Sequence, residues 1–500
     1  MVYNCRHDAC LRRVDPQPPT AADGIDADGP ADERPADDGG HAFSVEAFVE
    51  RVPHAHGVLQ KHWQLEAHQL TSYQREACTS ICEGADAYVR VRTGGGKSLM
   101  FSLPAVVMHE VGKTTLVVMP LKALIEDQLA GCQRRGIQAA AMHGDSPDKE
   151  ALRSALCHGN DDLPPIVFAT PELVATLPDD PSGVRAVVFD EAHTLVTWRA
   201  WRQGMAHVVA WTKKLQPKRQ LVLVTATATP ETHAALLHDF FDGTPPACNI
   251  SASLDRPSIT FSVHRKAPEE PGVFKMDACG FALAQFLWNQ YMASTFPARA
   301  RGCGIVYCHR KIDVHALALA MNGINGVRAA AFHGSLEPRE KTSVADAWID
   351  GNVDVLVATK AFGMGVDKPD VRFVVHWDVP ASLDDLFQEA GRAARDGAPA
   401  DHLVLYDEAK LSELANLAAG AKDTEHEARL ANLAAVRAYC TADGSRELCR
   451  RRALLGAFGE TYVIPRGGCA ACDLGVARRG PTYKPASAWR RMSTQSTFIA

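Results

Sequence analysis

Val91-Arg92-Thr93-Gly94-Gly95-Gly96-Lys97-Ser98 is followed, about ninety residues on, by Val187-Val188-Phe189-Asp190-Glu191-Ala192-His193. The first stretch has the make-up of a phosphate-binding loop. Glycines let main-chain N–H groups approach phosphate oxygens, Lys97 reaches the terminal phosphates, and the Ser98 hydroxyl is suited to Mg²⁺. Thr93, Gly94, Gly95 and Gly96 complete the cradle. The second stretch is an apolar strand that ends in two carboxylates. Asp190 is suited to hold the metal and Glu191 to polarise an attacking water, with His193 beside them. Together the two stretches predict nucleoside-triphosphate hydrolysis, and the Asp-Glu-Ala-His run points to a motor on nucleic acid.

Further apolar runs surround these two. Thr115–Met119, Ile166–Phe168, Ala186–Phe189 and Leu221–Val224 are separated by helical lengths. That alternation predicts a parallel sheet covered by helices on both faces, with chemistry at the carboxyl ends of the strands. A second series, Gly304–Cys308, Ala329–Phe332, Val353–Ala358 and Phe373–His376, reads the same way without a phosphate loop of its own. The fold class is therefore α/β, with two tandem parallel-sheet lobes. Leu254-Asp255-Arg256-Pro257 reads as the hinge between them.

Five hundred residues suffice for two to four domains. Hydrophobic content of 46% and charged content of 22% are ordinary for a globular protein. The net charge of −6 means that any groove for nucleic acid is local. No apolar run reaches the roughly 18 residues that span a bilayer, and no signal-peptide core is visible. The 14 cysteines then read as thiols or zinc ligands rather than a disulfide framework. Residues 1–40 are acidic and poor in large apolar side chains, a composition expected to be disordered. Cys5, His7 and Cys10 lie within that stretch, just before the Asp-, Pro-, Ala- and Gly-rich residues 15–40, at a spacing that matches no common zinc module. Residues 476–500 carry five Arg/Lys and no acid, a basic tail.

More motifs fall in order along the chain. Tyr73-Gln74 precedes the phosphate loop. Pro120–Gln128 (with Lys122) and Ala169-Thr170-Pro171-Glu172 sit at strand-to-helix loops, and Thr194–Arg202 is rich in tryptophan and arginine. Thr225-Ala226-Thr227, Tyr307–Lys311 and Phe332–Leu336 (with His333) follow. Thr359–Pro369 and Gln388–Gly397 come next, and then Cys440, Cys449, Cys469 and Cys472.

On these motifs the chain resembles RecQ-family DNA helicases of helicase superfamily two, over roughly residues 60–475. The resemblance implies two RecA-like lobes, 41–255 and 256–408, a small helical zinc-binding-type subdomain at 409–475, and ATP with Mg²⁺ in the cleft between the lobes. It implies that Gln74 reads adenine and that Asp367 contacts the ribose. Arg392 and Arg395 would face the γ-phosphate, Arg395 as the finger. Lys122, Trp198, Trp201, Arg202 and His333 would touch DNA. The hydroxyls of Thr225 and Thr227 would bond the carboxylates of the acidic motif and His193, and so link that motif to the second lobe. Three cysteines match the zinc ligands, Cys449, Cys469 and Cys472. The usual fourth falls at Gly475, with Cys440 as the substitute, so Zn²⁺ is an open expectation. Arg92 stands where proline is usual, and Ala394 where glycine is.

The implied activity is ATP-dependent 3′-to-5′ movement on single-stranded and partially duplex DNA, with unwinding, in the nucleus and in repair or recombination. The chain ends where longer relatives continue into a winged helix, which leaves open a DNA-stimulated translocase without robust unwinding. A non-catalytic nucleic-acid-binding scaffold and an RNA helicase are also open at this level.

Overall fold

The computed structural model describes residues 43–200, 202–266, 302–323, 326–362, 368–419, 426–442, 449–464 and 469. Several sequence expectations lie outside these residues: the 1–40 segment with Cys5, His7 and Cys10, then Trp201, Asp367, Cys472 with Gly475, and the 476–500 tail.

The first sheet has seven strands in the order β3-β4-β2-β5-β6-β1-β7. They are β1 (Ala87–Arg90), β2 (Thr114–Val118), β3 (Ala139–Met142), β4 (Ile166–Ala169), β5 (Val184–Asp190), β6 (Gln220–Thr225) and β7 (Cys248–Ser251). The second has six, in the order β10-β11-β9-β12-β13-β8. These are β8 (Ile259–Arg265), β9 (Cys303–Tyr307), β10 (Ala329–Phe332), β11 (Val355–Ala358), β12 (Val371–His376) and β13 (Ala400–Tyr406). Every pairing in both sheets is parallel. Parallel strands need crossovers, and helices supply them, burying both faces of each sheet. That is why the central strands β2, β4 and β9 are buried at every residue.

The order of the first sheet builds the site. β5, β6 and β1 are neighbours, so the segments leaving their carboxyl ends lie side by side. The phosphate loop leaves β1, the acidic motif ends β5, and Thr225 ends β6. In the second lobe the helix Leu383–Ala390 follows β12 and delivers Gln388, Arg392 and Arg395. Its N-terminus is fixed by Ser382, whose hydroxyl accepts from Asp385 N at 3.0 Å.

After β13 come the helices Glu408–Ala419, His426–Thr441 and Arg450–Ala457. They pack into the core of the second lobe through Val436, Tyr439, Leu455 and Phe458. The segment after 449 also reaches back to the first lobe and the linker. Arg90 donates to Phe458 O at 2.7 Å, and Glu460 accepts from Leu254 N at 2.8 Å. The expected hinge is therefore bound on several sides. Arg451 donates to the carbonyls of Arg256 and Ile259 at 3.0 and 2.9 Å and pairs with Asp255 at 3.3 Å.

Candidate active site

The phosphate loop is a turn that glycine alone shapes easily. Gly94 and Gly96 have φ of 80° and 77°, in the left-handed region where a side chain is strained. Gly96 then caps the helix Lys97–Val107, whose free N–H groups and dipole favour an anion. Tyr73 Oη and Gln74 Nε2 each donate to Gly95 O at 3.1 Å, holding the loop from behind. The other end of the Gln74 amide accepts from Thr71 N at 2.9 Å, closing a capping box. Gln74 thus lines the cleft with both ends of its amide committed. Reading an adenine edge requires those bonds to exchange.

Glu191 lies opposite Lys97, with Oε1 at 3.6 Å from Nζ. Glu191 has φ of 50°, an uncommon conformation for a residue with a side chain and one that clusters at functional sites. Asp190, which is buried, and Glu191, which is a quarter exposed, stand beside a single lysine. Burial first, and then the Glu191 charge, push Asp190 up to about 7, against the pull of Lys97. Burial also acts on Glu191, but Lys97 and His193 outweigh it and hold that group below its ordinary value. Glu191 Oε2 lies 3.5 Å from His193 Nδ1. Two adjacent carboxylates, one of them buried and held off ionisation, fit a divalent cation. Asp190 and Ser98 line the same cavity and would be the side chains to hold one.

His193 carries the contact between the lobes. Its Nδ1 is 3.0 Å from Thr225 Oγ1, and its Nε2 is 3.3 Å from Gln388 Nε2. Gln388 Nε2 also donates to Thr227 Oγ1 at 2.8 Å. The two threonine hydroxyls therefore reach the acidic motif's histidine and the second lobe, not the carboxylates. Asp384, pushed up by burial and drawn down by His193, lies against the same group. Sequence reasoning passed over Gln388 and Asp384 as site residues. Their i, i+4 spacing on a helix that opens next to the arginine pair is the signal that was available.

Arg392 and Arg395 line the same cavity of about 580 Å³ as Lys97, Asp190 and Glu191. A Cβ placed on Gly94 would lie 3.7 Å from the Arg395 side chain, so the arginine loop sits directly on the phosphate loop. Ala394, in the position where glycine is usual, has φ of 55° and bears the left-handed strain of about 1–2 kcal/mol.

The expected DNA contacts lie elsewhere. Arg202 donates to both carboxylate oxygens of Glu172, at 2.7 and 3.0 Å, and to Pro120 O, and stacks over Trp198. One guanidinium thus ties the aromatic-rich segment to both neighbouring loops, using three of its five N–H groups. Lys122 is exposed and pairs with Asp145 at 2.6 Å. His333 is buried, with Nε2 at 2.7 Å from His315 Nε2. Cys440, Cys449 and Cys469 are buried in one core cluster. Among the described residues no three His, Cys, Asp or Glu side chains gather as a metal site. No helix among these residues is long and apolar enough to cross a membrane.

Two parallel-sheet lobes with a phosphate loop and an acidic strand end on one side of a cleft, and paired arginines on the other, define the two-lobed motor ATPases of helicase superfamily two. The family profile described as DEAD/DEAH box helicase matches residues 71–236, Helicase conserved C-terminal domain matches 289–397, and RecQ zinc-binding matches 406–474. The chain belongs to the RecQ family. It is 30% identical over 412 residues to ATP-dependent DNA helicase Q-like 2 of Arabidopsis thaliana, covering 80% of this chain and 54% of that one. It is 30% identical over 410 residues to ATP-dependent DNA helicase RecQ of Pasteurella multocida, covering 80% and 59%. The chain thus spans about half the length of the curated relatives it matches. Among solved structures, helicase Lhr of Mycobacterium smegmatis bound to ssDNA and AMP-PNP shares the fold, with a TM-score of 0.52 and 21% identity over 79% of this chain and 54% of that one.

Proposed function

We propose that this protein hydrolyses ATP in the cleft between its lobes and uses the cycle to move 3′ to 5′ along single-stranded DNA, opening duplex as it goes. The observation that carries the reading is the shared cleft, with Lys97, Asp190 and Glu191 on one wall and Arg392 and Arg395 on the other. ATP supplies the anhydride whose terminal bond is broken by water, giving ADP and phosphate. Lys97 and the loop N–H groups neutralise phosphate charge, and Asp190 with Ser98 holds Mg²⁺. Glu191, kept ionised by Lys97, orients the water and takes its proton. Arginine stabilisation of the transition state is worth roughly 10³ to 10⁵ in rate in comparable NTPases. The contact from Gln388 to His193 and Thr227 gives the second lobe a way to sense the acidic motif. DNA, rather than RNA, is supported by family membership and by the names of the DNA helicases it resembles. Zinc at Cys449, Cys469 and Cys472, with Cys440 as the fourth ligand, and action in the nucleus are proposed on the same family grounds.

Steady-state ATP hydrolysis, alone, with single-stranded DNA and with single-stranded RNA, tests the reading. Stimulation by DNA of about tenfold or more is expected, with Lys97→Ala and Glu191→Gln each removing at least about 99% of it. No turnover in any condition would sink the proposal, and preferential stimulation by RNA would reassign the track.

A further inference from the structure

Arg256 lies in the linker between β7 and β8, and its guanidinium is buried. One nitrogen donates to Thr93 O in the phosphate loop and to Gly391 O, both at 2.9 Å. The other donates to Ala393 O at 2.6 Å and Ala394 O at 3.1 Å. One planar fork therefore grips the phosphate loop and three carbonyls of the loop that carries Arg392 and Arg395. Those carbonyls are available because the helix Leu383–Ala390 stops at Gly391 and the chain turns left-handed at Ala394. The space above Gly94 is bounded by the Arg395 side chain at 3.7 Å and Arg256 Nη1 at 4.0 Å. Phosphate loop, finger loop and linker thus meet at one point.

The arrangement is electrostatically expensive. Among the described residues no carboxylate pairs with Arg256, since Asp255 beside it is taken by Arg451. Burial, and then Arg92 and Arg395, pull Arg256 down to about 10. Arg92, in the place where proline is usual, donates to Asp255 O at 3.0 Å, which brings another positive charge to the same joint. A buried cation held only by carbonyls and surrounded by like charge is costly. The nucleotide's phosphates are the anion that such a cluster lacks.

We propose that Arg256 is a positioning residue for hydrolysis, a rigid strut that sets the arginine loop against the phosphate loop so that Arg395 meets the terminal phosphate. The inference rests on the hydrolysis reading above. It makes the linker a part of the catalytic geometry as well as the join between the lobes. A lysine keeps the charge but not the fork, because an ammonium is a point donor that cannot span both loops as a guanidinium does.

The test compares kcat and KM for ATP, with saturating single-stranded DNA, in the wild type, Arg256→Gln, Arg256→Lys, Arg395→Ala and the Arg256→Gln/Arg395→Ala double variant, with thermal melts of each. Arg256→Gln is expected to lower kcat at least about tenfold with KM within about threefold, and Arg256→Lys to restore little. The double variant should lose less than the product of the two single losses, because part of what the strut positions goes with Arg395. Wild-type kcat in Arg256→Gln, multiplicative losses in the double variant, or a loss that follows only the folded fraction in the melts would each overturn the proposal. A wild type without turnover would instead bring down the hydrolysis reading, and this inference with it.

Discussion

At the scale of single residues, the site is decided by how few charges share a dry space. Asp190, Glu191 and Lys97 meet in the cleft, and the pair of acids cannot both ionise cheaply without a second cation. Asp190 takes the cost and is pushed up to about 7 by burial and by Glu191. The sign follows from linkage. An unfolded aspartate titrates near 4, so between about pH 4 and 7 the folded chain holds a proton that the unfolded chain has lost. This group's contribution to stability therefore falls as pH rises through that window and is level above it. Cation binding displaces the same proton. The affinity for Mg²⁺ with the non-hydrolysable analogue AMP-PNP should weaken about tenfold per pH unit below 7 and be flat above it. Titration calorimetry between pH 6 and 8 checks this, and an affinity that does not change across that range would refute it. Asp190→Asn should abolish the slope.

At the scale of elements, glycine placement inside a buried sheet matters more than strand propensity. Gly304 sits in β9 opposite Phe373 of β12. A Cβ there would lie 2.1 Å from the Phe373 ring, closer than any real contact. Gly304→Ala should destabilise the second lobe by about 1–3 kcal/mol, the usual cost of overpacking. Urea unfolding measures it, and adding Phe373→Leu should recover part of the loss. A neutral Gly304→Ala would mean that β12 slides freely against β9. Sequence patterning finds the strands at the sheet centres, which are continuous apolar runs. It is less informative about β3, β7 and β8. Ala139-Ala140-Ala141 of β3 is small and half-buried, and β7 alternates buried with exposed. Such edge strands bury little apolar surface, so their signal in the sequence is weak. β13 begins with Asp401 and His402 just after Ala400, and there the polar pair masks an interior strand.

At the scale of the whole molecule, the C-terminal helices act as a clamp on the joint between the lobes. Arg451 is buried and binds Asp255 together with the carbonyls of Arg256 and Ile259. Removing Arg451 leaves the half-buried Asp255 and two buried carbonyls short of a donor, at a cost of about 1–3 kcal/mol. Arg451→Ala should lower stability by about that amount and split a single calorimetric transition into two, as the lobes lose their common support. One unchanged transition would mean that the clamp carries no coupling.

The sequence by itself determined the phosphate loop and the acidic strand end, because each is local. A phosphate loop needs its glycines, lysine and serine in one unbroken run, and an acidic strand end needs its two carboxylates adjacent. It determined the α/β class as well, since most buried parallel strands are short runs of largely apolar residues separated by helical lengths. Only the tertiary structure decided what Arg256, Arg202, Gln388 and Arg451 do. Each is a polar residue with a partner 30 or more residues away in the chain. Thr93 and Ala394, which Arg256 holds together, come from different lobes. No spacing in one dimension records such a bond, because it exists only where the strand order of two sheets brings their carboxyl ends face to face.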